Sequence, residues 1–227
     1  MSDAAAAAAR RAYASQSFTT RAHVALRWWT CPFRAVARAV PGTGTVLDAG
    51  CGHGLFSVYL AAQSPERRIT GVDIDDDKLT IARAAARAAG VDDRVDFRQV
   101  TTAWHPDASW DTIVEVDMLY LLGRPRADEW LEQAAGALTP GGHLVVKELD
   151  VEPRWKARWS RFQEVLATRV ARITEGDELE LVPRRAVVAA MTDSGLHVDA
   201  CRLDRARVHP HYLAVGTRDA GDRRARP

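Results

Sequence analysis

Apolar residues recur along this chain in two rhythms. Val46-Leu47, Arg68 to Asp73, Val95 to Gln99, Trp110 to Asp117 and His143 to Glu148 are short stretches that suit strands buried in a sheet. Between them, Leu55 to Gln63, Lys78 to Ala89 and Arg126 to Leu138 have helical character. Strand and helix in alternation predict an α/β domain on a parallel sheet. Asp75, Asp76 and Asp77 open the second helix, where carboxylates cap free N–H groups, and Gly90 closes it. Arg184 to Ser194 reads as a further helix stopped by Gly195, and Val198 to Leu203 with His211 to Thr217 as a closing pair of strands.

The flanks have a different texture. Residues 1–17 are Ala-rich with few large apolar groups and are expected to be disordered or loosely helical. Residues 18–41 carry Val24, Leu26, Trp28, Trp29, Phe33, Val36 and Val40 before Pro41-Gly42, which predicts two short helices forming an N-terminal cap. Trp155 to Ile173 sets Trp159, Phe162, Val165, Leu166 and Val170 on one helical face, an inserted helix after strand five within a lid over 151–182. The charged tail 218–227 is expected to be disordered, leaving 18–217 as a single domain.

The chemistry gathers where the first strand ends. Val46-Leu47-Asp48-Ala49-Gly50-Cys51-Gly52-His53-Gly54 runs from an apolar strand into three alternating glycines and then a helix, a loop in which exposed N–H groups face a ligand. A second strand ends at Asp73, about where such folds place a carboxylate on ribose hydroxyls. Asp48 stands before the first glycine. A carboxylate there repels pyrophosphate but tolerates a cation, so the expected ligand is a nucleoside without phosphates.

Three motifs in order then carry a resemblance: Val46 to Gly54, Gly71-Val72-Asp73-Ile74, and Leu138-Thr139-Pro140-Gly141-Gly142-His143-Leu144. Together they resemble the class I S-adenosylmethionine-dependent methyltransferases, over roughly Val46 to Thr217. The resemblance implies an α/β, Rossmann-like three-layer sandwich. Its seven-stranded, mostly parallel sheet has its last strand antiparallel. It also implies S-adenosyl-L-methionine as cofactor, leaving S-adenosyl-L-homocysteine as product. Gly50 and Gly52 would pass under the cofactor, Asp73 would hold the ribose, and Ile74 would pack on the adenine. Asp48, Ala49 and the main chain near Val116 and Asp117 would place the methionine end. The family often sets an acid after strand three against the adenine amino group; here Thr101-Thr102 stand there, and a hydroxyl or backbone oxygen would have to accept that bond.

Methyl transfer from a sulfonium needs alignment and desolvation more than a fixed catalytic motif. For a hydroxyl or amine acceptor, Asp117, Glu148, Tyr120 and His53 are the nearest candidate bases. His53 can equally fill a turn, and Glu148 can pair with Lys147 or Lys156. Trp28 and Trp29 are adjacent and cannot share one narrow helical stripe, so one is expected to pack and one to line something. With Tyr120, Trp155 and Trp159 they form the candidate substrate pocket, which suits a small or medium, partly apolar acceptor such as a secondary metabolite or lipid-like chain. The same aromatics can also simply dock the cap on the sheet. Arg27, Arg34 and Arg38 are a minor case for an interfacial membrane surface.

Charge and cysteines narrow the class. Lys and Arg number 31 against 30 Asp and Glu in 227 residues, a net charge of +1 with no general field for nucleic acid. The three cysteines lack a CxxC pair, which argues against a disulfide framework or structural zinc and for the cytoplasm. His209-Pro210-His211 has no evident third ligand, and no metal is expected. No run reaches membrane-spanning length, so no stable membrane insertion is expected. A homodimer stays open. Two rival readings also remain: a NAD-dependent oxidoreductase, and a cofactor-binding scaffold or non-methylating enzyme on the same fold.

Overall fold

The computed structural model describes residues 3–107, 109–151, 181–203 and 210–221. Seven strands form one sheet: β1 Gly44–Ala49, β2 Arg67–Asp73, β3 Val95–Gln99, β4 Trp110–Val116, β5 Leu138–Leu149, β6 His197–Arg202 and β7 His211–Thr217. Their order across the sheet is β3-β2-β1-β4-β5-β7-β6. β7 runs antiparallel to both its neighbours while the other strands are parallel, as the resemblance implies. The order reverses between β1 and β4, which opens the ligand-binding crevice beyond their carboxyl ends.

Period-2 alternation makes three layers of this sheet. On β1, Val46 enters one core and Leu47 the other; Val114 and Ile113 divide in the same way on β4, and Val145 and Leu144 on β5. The first core is closed by α4 Leu55–Gln63 and α5 Asp76–Ala89, the second by α6 Arg124–Gly136 and α7 Arg184–Asp193. Asp75 caps α5 by accepting from the Lys78 N–H at 3.1 Å, and Gly90 ends it in a left-handed conformation.

Three helices precede β1: α1 Ala4–Arg11, α2 Phe18–Thr30 and α3 Phe33–Ala37. The start of the chain is thus more ordered than its composition suggests. Alanine gives α1 a close approach to α4, burying Ala6, Ala9 and Ala12, while Asp3 caps the helix and accepts from Tyr59 Oη at 2.7 Å. The chain also stays paired past β7. The Arg218 N–H donates to Gly142 O, and its guanidinium donates to Leu138 O at 2.7 Å, so Arg218 is not part of a free tail. The expected turn at Thr139-Pro140-Gly141-Gly142 lies within a longer β5, with a register irregularity against β4. The expected helix from Trp155 to Ile173, with Lys156 and Phe162, lies outside the described residues, as does His209.

Candidate functional site

Three chain segments meet beyond the ends of β1, β2 and β4. The glycine loop turns there because Gly50, Gly52 and Gly54 take φ of +70°, +54° and +74°. A Cβ on Gly50 would stand 2.9 Å from Met118 Cγ, whereas one on Gly52 would meet nothing within 4 Å. The loop is therefore packed from below at Gly50 and open above at Gly52. Asp73 sets its shape, accepting from the Gly52 N–H at 2.8 Å and from the Asp75 N–H at 3.0 Å. Ile74, next to it, is 53% exposed.

Asp48 is buried one step inside the loop and accepts from Ser57 Oγ at 2.5 Å. Burial, reinforced by the charge of Asp73 and opposed by the Ser57 bond, pushes its carboxyl up to about 7. Ala49 is buried in the strand end. Thr101 and Thr102 are exposed after β3, and the Thr102 carbonyl accepts from the Arg126 guanidinium. Nearby, Gln99 Nε2 donates to Ile74 O at 3.1 Å.

Across the crevice, the end of β4 holds a different kind of site. Val116 is buried, and Asp117 is the sole non-glycine residue with positive φ among the described residues, at +61°. Its carboxylate is clamped between the Arg27 guanidinium, 2.7 Å away on α2, and the Lys147 ammonium on β5. Burial would raise the Asp117 carboxyl, but the charges of Lys147 and Arg27 outweigh it and hold the group well below the usual carboxylate range. Such a carboxylate is a poor proton acceptor, which weighs against Asp117 as the base.

Glu148 is wholly buried and accepts from the Leu119 N–H at 2.7 Å, inside the 3₁₀ turn Leu119–Leu121. Burial and the charge of Asp117 raise its carboxyl, and burial with the adjacent charge of Glu148 raises Glu115 further. Both carboxyls accept from backbone N–H groups of the same turn, Glu115 from Met118 and Glu148 from Leu119. The expected pairing of Glu148 with Lys147 does not form; neighbours on a strand point to opposite faces, and Lys147 reaches Asp117 instead. Tyr120 packs beside Leu149, Leu181 and Val151 at the mouth.

His53 stands in the loop with its ring 4.9 Å from that of His23 on α2, while its carbonyl accepts from Tyr13 Oη at 2.7 Å. Desolvation lowers both imidazoles, His23 to about 4, so the pair is neutral at pH 7. Trp28 is a docking residue: it meets Tyr59 edge-on at 5.0 Å and packs against Phe33. Trp29 is 73% exposed on the other side of α2. Trp155 and Trp159 fall outside the described residues. Arg27 is held by Asp117, and Arg34 is held by Asp3 and lies over Trp28.

Sequence reasoning missed Arg27, Lys147, Glu115, His23 and Tyr13 as parts of this assembly. For Lys147 a signal existed, since strand alternation separates it from Glu148. Arg27 offered none, its partner being distant in sequence and on another element.

Residues 46–142 match the methyltransferase domain family. The chain is 31% identical over 121 residues to a fatty-acid O-methyltransferase of Mycolicibacterium smegmatis, covering 51% of this chain and 40% of that relative. It is 32% identical over 112 residues to the 27-O-demethylrifamycin SV methyltransferase of Amycolatopsis mediterranei, covering 48% and 39%. The first curated relatives it matches are covered over a quarter to a half of their length. An O-methyltransferase family protein from Burkholderia thailandensis has the same fold, with a TM-score of 0.73 at 22% identity over 88% of this chain and 58% of that one. Motifs, sheet order and family match agree that the chain carries a class I S-adenosylmethionine-dependent methyltransferase domain, and the dinucleotide alternative is set aside. Among the described residues no helix is long and apolar enough to cross a membrane.

Proposed function

We propose that the chain, through this domain, transfers a methyl group from S-adenosylmethionine to an oxygen of a small or medium, partly apolar acceptor. The observation that carries the reading is the cradle at the β1 and β2 ends. Gly52 leaves open space above the loop, Asp73 presents a carboxylate to it, and Ile74 offers an exposed apolar face beside it. That donor set fits a nucleoside: a carboxylate for two ribose hydroxyls and an aliphatic side chain for a purine face. Asp48, whose carboxyl can lose its proton near neutral pH, suits the cationic methionine end. Oxygen as the acceptor atom is supported by the two O-methyltransferase relatives, whose fatty-acid and rifamycin substrates are also largely apolar.

When bound, S-adenosylmethionine supplies a methyl group already activated by its sulfonium. The chain's own work is then orientation and exclusion of water. Asp117, fixed by Lys147 and Arg27, ties α2 to the end of β4 and so holds the cap over the crevice. In this reading Asp117 and Glu148 are positioning residues, with Glu148 holding the N–H groups of Leu119 and Tyr120 that shape the mouth. Of the four candidate bases His53, neutral in the glycine loop, is left to take the proton of a hydroxyl acceptor, and a carboxylate acceptor needs no base.

Calorimetry of the full chain with S-adenosylhomocysteine, followed by labelled methyl transfer into an extract of the source cell, tests both parts. One binding site and label in a base-labile or ether-linked small molecule are expected. Absence of specific binding would remove the cofactor assignment. Binding without label transfer would favour a scaffold or a different reaction on this fold.

A further inference from the structure

A cleft lies beside the first two helices, outside the residues that match the family and divided from the cofactor cradle by Tyr13. Between α1 and the start of α2 is a cavity of about 590 Å³. Tyr13 and Val24, both buried, contribute to its walls, and Phe18, 81% exposed, stands among its lining residues. Arg10 and Arg11 from the last turn of α1 and Arg21 from α2 line the same cavity, and no acidic residue does. None of these three guanidiniums has a hydrogen bond or ion pair among the described residues, whereas Arg27, Arg34 and Arg83 each meet a carboxylate.

Three cations lining one cleft with no acidic residue among its lining repel one another, and an anion among them relieves that repulsion through charge-assisted hydrogen bonds. Apolar walls beside the cations ask for a hydrocarbon portion on the same ligand. The cleft is open to solvent along Arg10, Arg11, Ala14, Phe18 and Arg21, so a free chain can enter from the side, and its volume suits a single chain. We propose that this cleft binds a free single-chain fatty carboxylate, its head among Arg10, Arg11 and Arg21 and its chain along Tyr13, Val24 and Phe18. The site goes beyond the methyl-transfer reading. Its ligand binds together with the nucleoside, since Tyr13 separates the cleft from the glycine loop through its bond to His53 O.

The test is calorimetry of the full chain saturated with S-adenosylhomocysteine, titrated with decanoate below its micelle concentration. One decanoate per chain is expected. The double variant Arg10→Gln/Arg21→Gln should weaken it by about 10-fold or more, the scale of lost charge-assisted bonds. Ala14→Trp, which fills the cleft from an exposed position, should abolish it. Both variants should keep wild-type melting and nucleoside affinity, and decanol should bind far more weakly than decanoate. The proposal is overturned if decanoate fails to bind, binds both variants as well as wild type, or is displaced by S-adenosylhomocysteine. It is equally overturned if inorganic phosphate binds as tightly as decanoate, or if the arginine substitutions affect only binding to phosphatidylglycerol vesicles.

Discussion

On the β1–β3 side of the sheet, Asp73 accepts from the N–H groups of Gly52 and Asp75 and remains partly open, with an exposed Ile74 beside it. On the β4–β5 side, Asp117 is sealed between Arg27 and Lys147, with Glu115 and Glu148 buried nearby. The first carboxylate is satisfied by backbone within its own loop and keeps a face for a ligand. The second depends on a cap helix and a neighbouring strand for its counter-charges. One side is built to receive; the other fixes the cap against the sheet.

The sharpest way to break this contrast is to remove a cation from the sealed side. Lys147 is wholly buried, and Lys147→Met would leave Asp117 half-compensated in a low-dielectric setting. A loss of about 3–5 kcal/mol in urea unfolding is expected. Adding Asp117→Asn should recover part of it, because the stranded charge is then gone. A loss under about 1 kcal/mol, or no coupling between the two substitutions, would mean that water already reaches the pair.

On the receiving side, the largest effect should fall on affinity. Asp73→Ala removes the proposed ribose contact and the acceptor of the Gly52 N–H. A folded variant should bind S-adenosylhomocysteine more weakly by about 1.5–3 kcal/mol in calorimetry. Unchanged affinity would leave the cradle without its nucleoside.

These two substitutions also mark how much could be read from the chain itself. The receiving side was legible because its partners are near in sequence. Glycines, the strand-end acids and Ile74 sit in two short motifs whose spacing already implies their geometry. The seven strands and six of the helices were legible for the same reason, through local periodicity, with boundaries off by a few residues. The sealed side was not, since Arg27 and Asp117 meet across separate elements and nothing local to either announces the other. Trp28 was legible in part: two adjacent aromatics gave the expectation that one packs, and only Tyr59 and Phe33 decide which. α1 was underestimated because alanine packs by close approach rather than by size.

Acidity offers a third probe. The Asp48 carboxyl, raised to about 7, keeps its proton in the folded state over a range where the unfolded chain, at an ordinary value of about 4, has lost it. The folded state therefore binds more protons between those values, and stability from this group falls as pH climbs from about 4 to about 7, then levels. Glu115 and Glu148 shift stability in the same sense; Asp117, held low, adds stability above about 4 that is lost as pH falls. Asp48→Asn isolates one contribution. Its stability relative to wild type should rise by roughly 2–3 kcal/mol between pH 5 and 7.5 and level off above that. A constant difference across this range would place the Asp48 titration elsewhere.

The smallest expected effect discriminates best between a ligand face and mere surface. Ile74 is more than half exposed, so Ile74→Ala should change folding stability by no more than about 0.5 kcal/mol. If a purine lies on it, the side chain loses part of its remaining contact with water on binding, at about 25 cal/mol per Å² of apolar area. Truncation to alanine should then weaken S-adenosylhomocysteine by about 2–5-fold, a difference of about 0.5–1 kcal/mol. Asp73→Ala changes both the loop and its ligand, whereas Ile74→Ala changes only the surface the ligand would cover. Equal affinity of the Ile74→Ala variant and wild type would therefore move the adenine off this side of the crevice, even with the Asp73 contact intact.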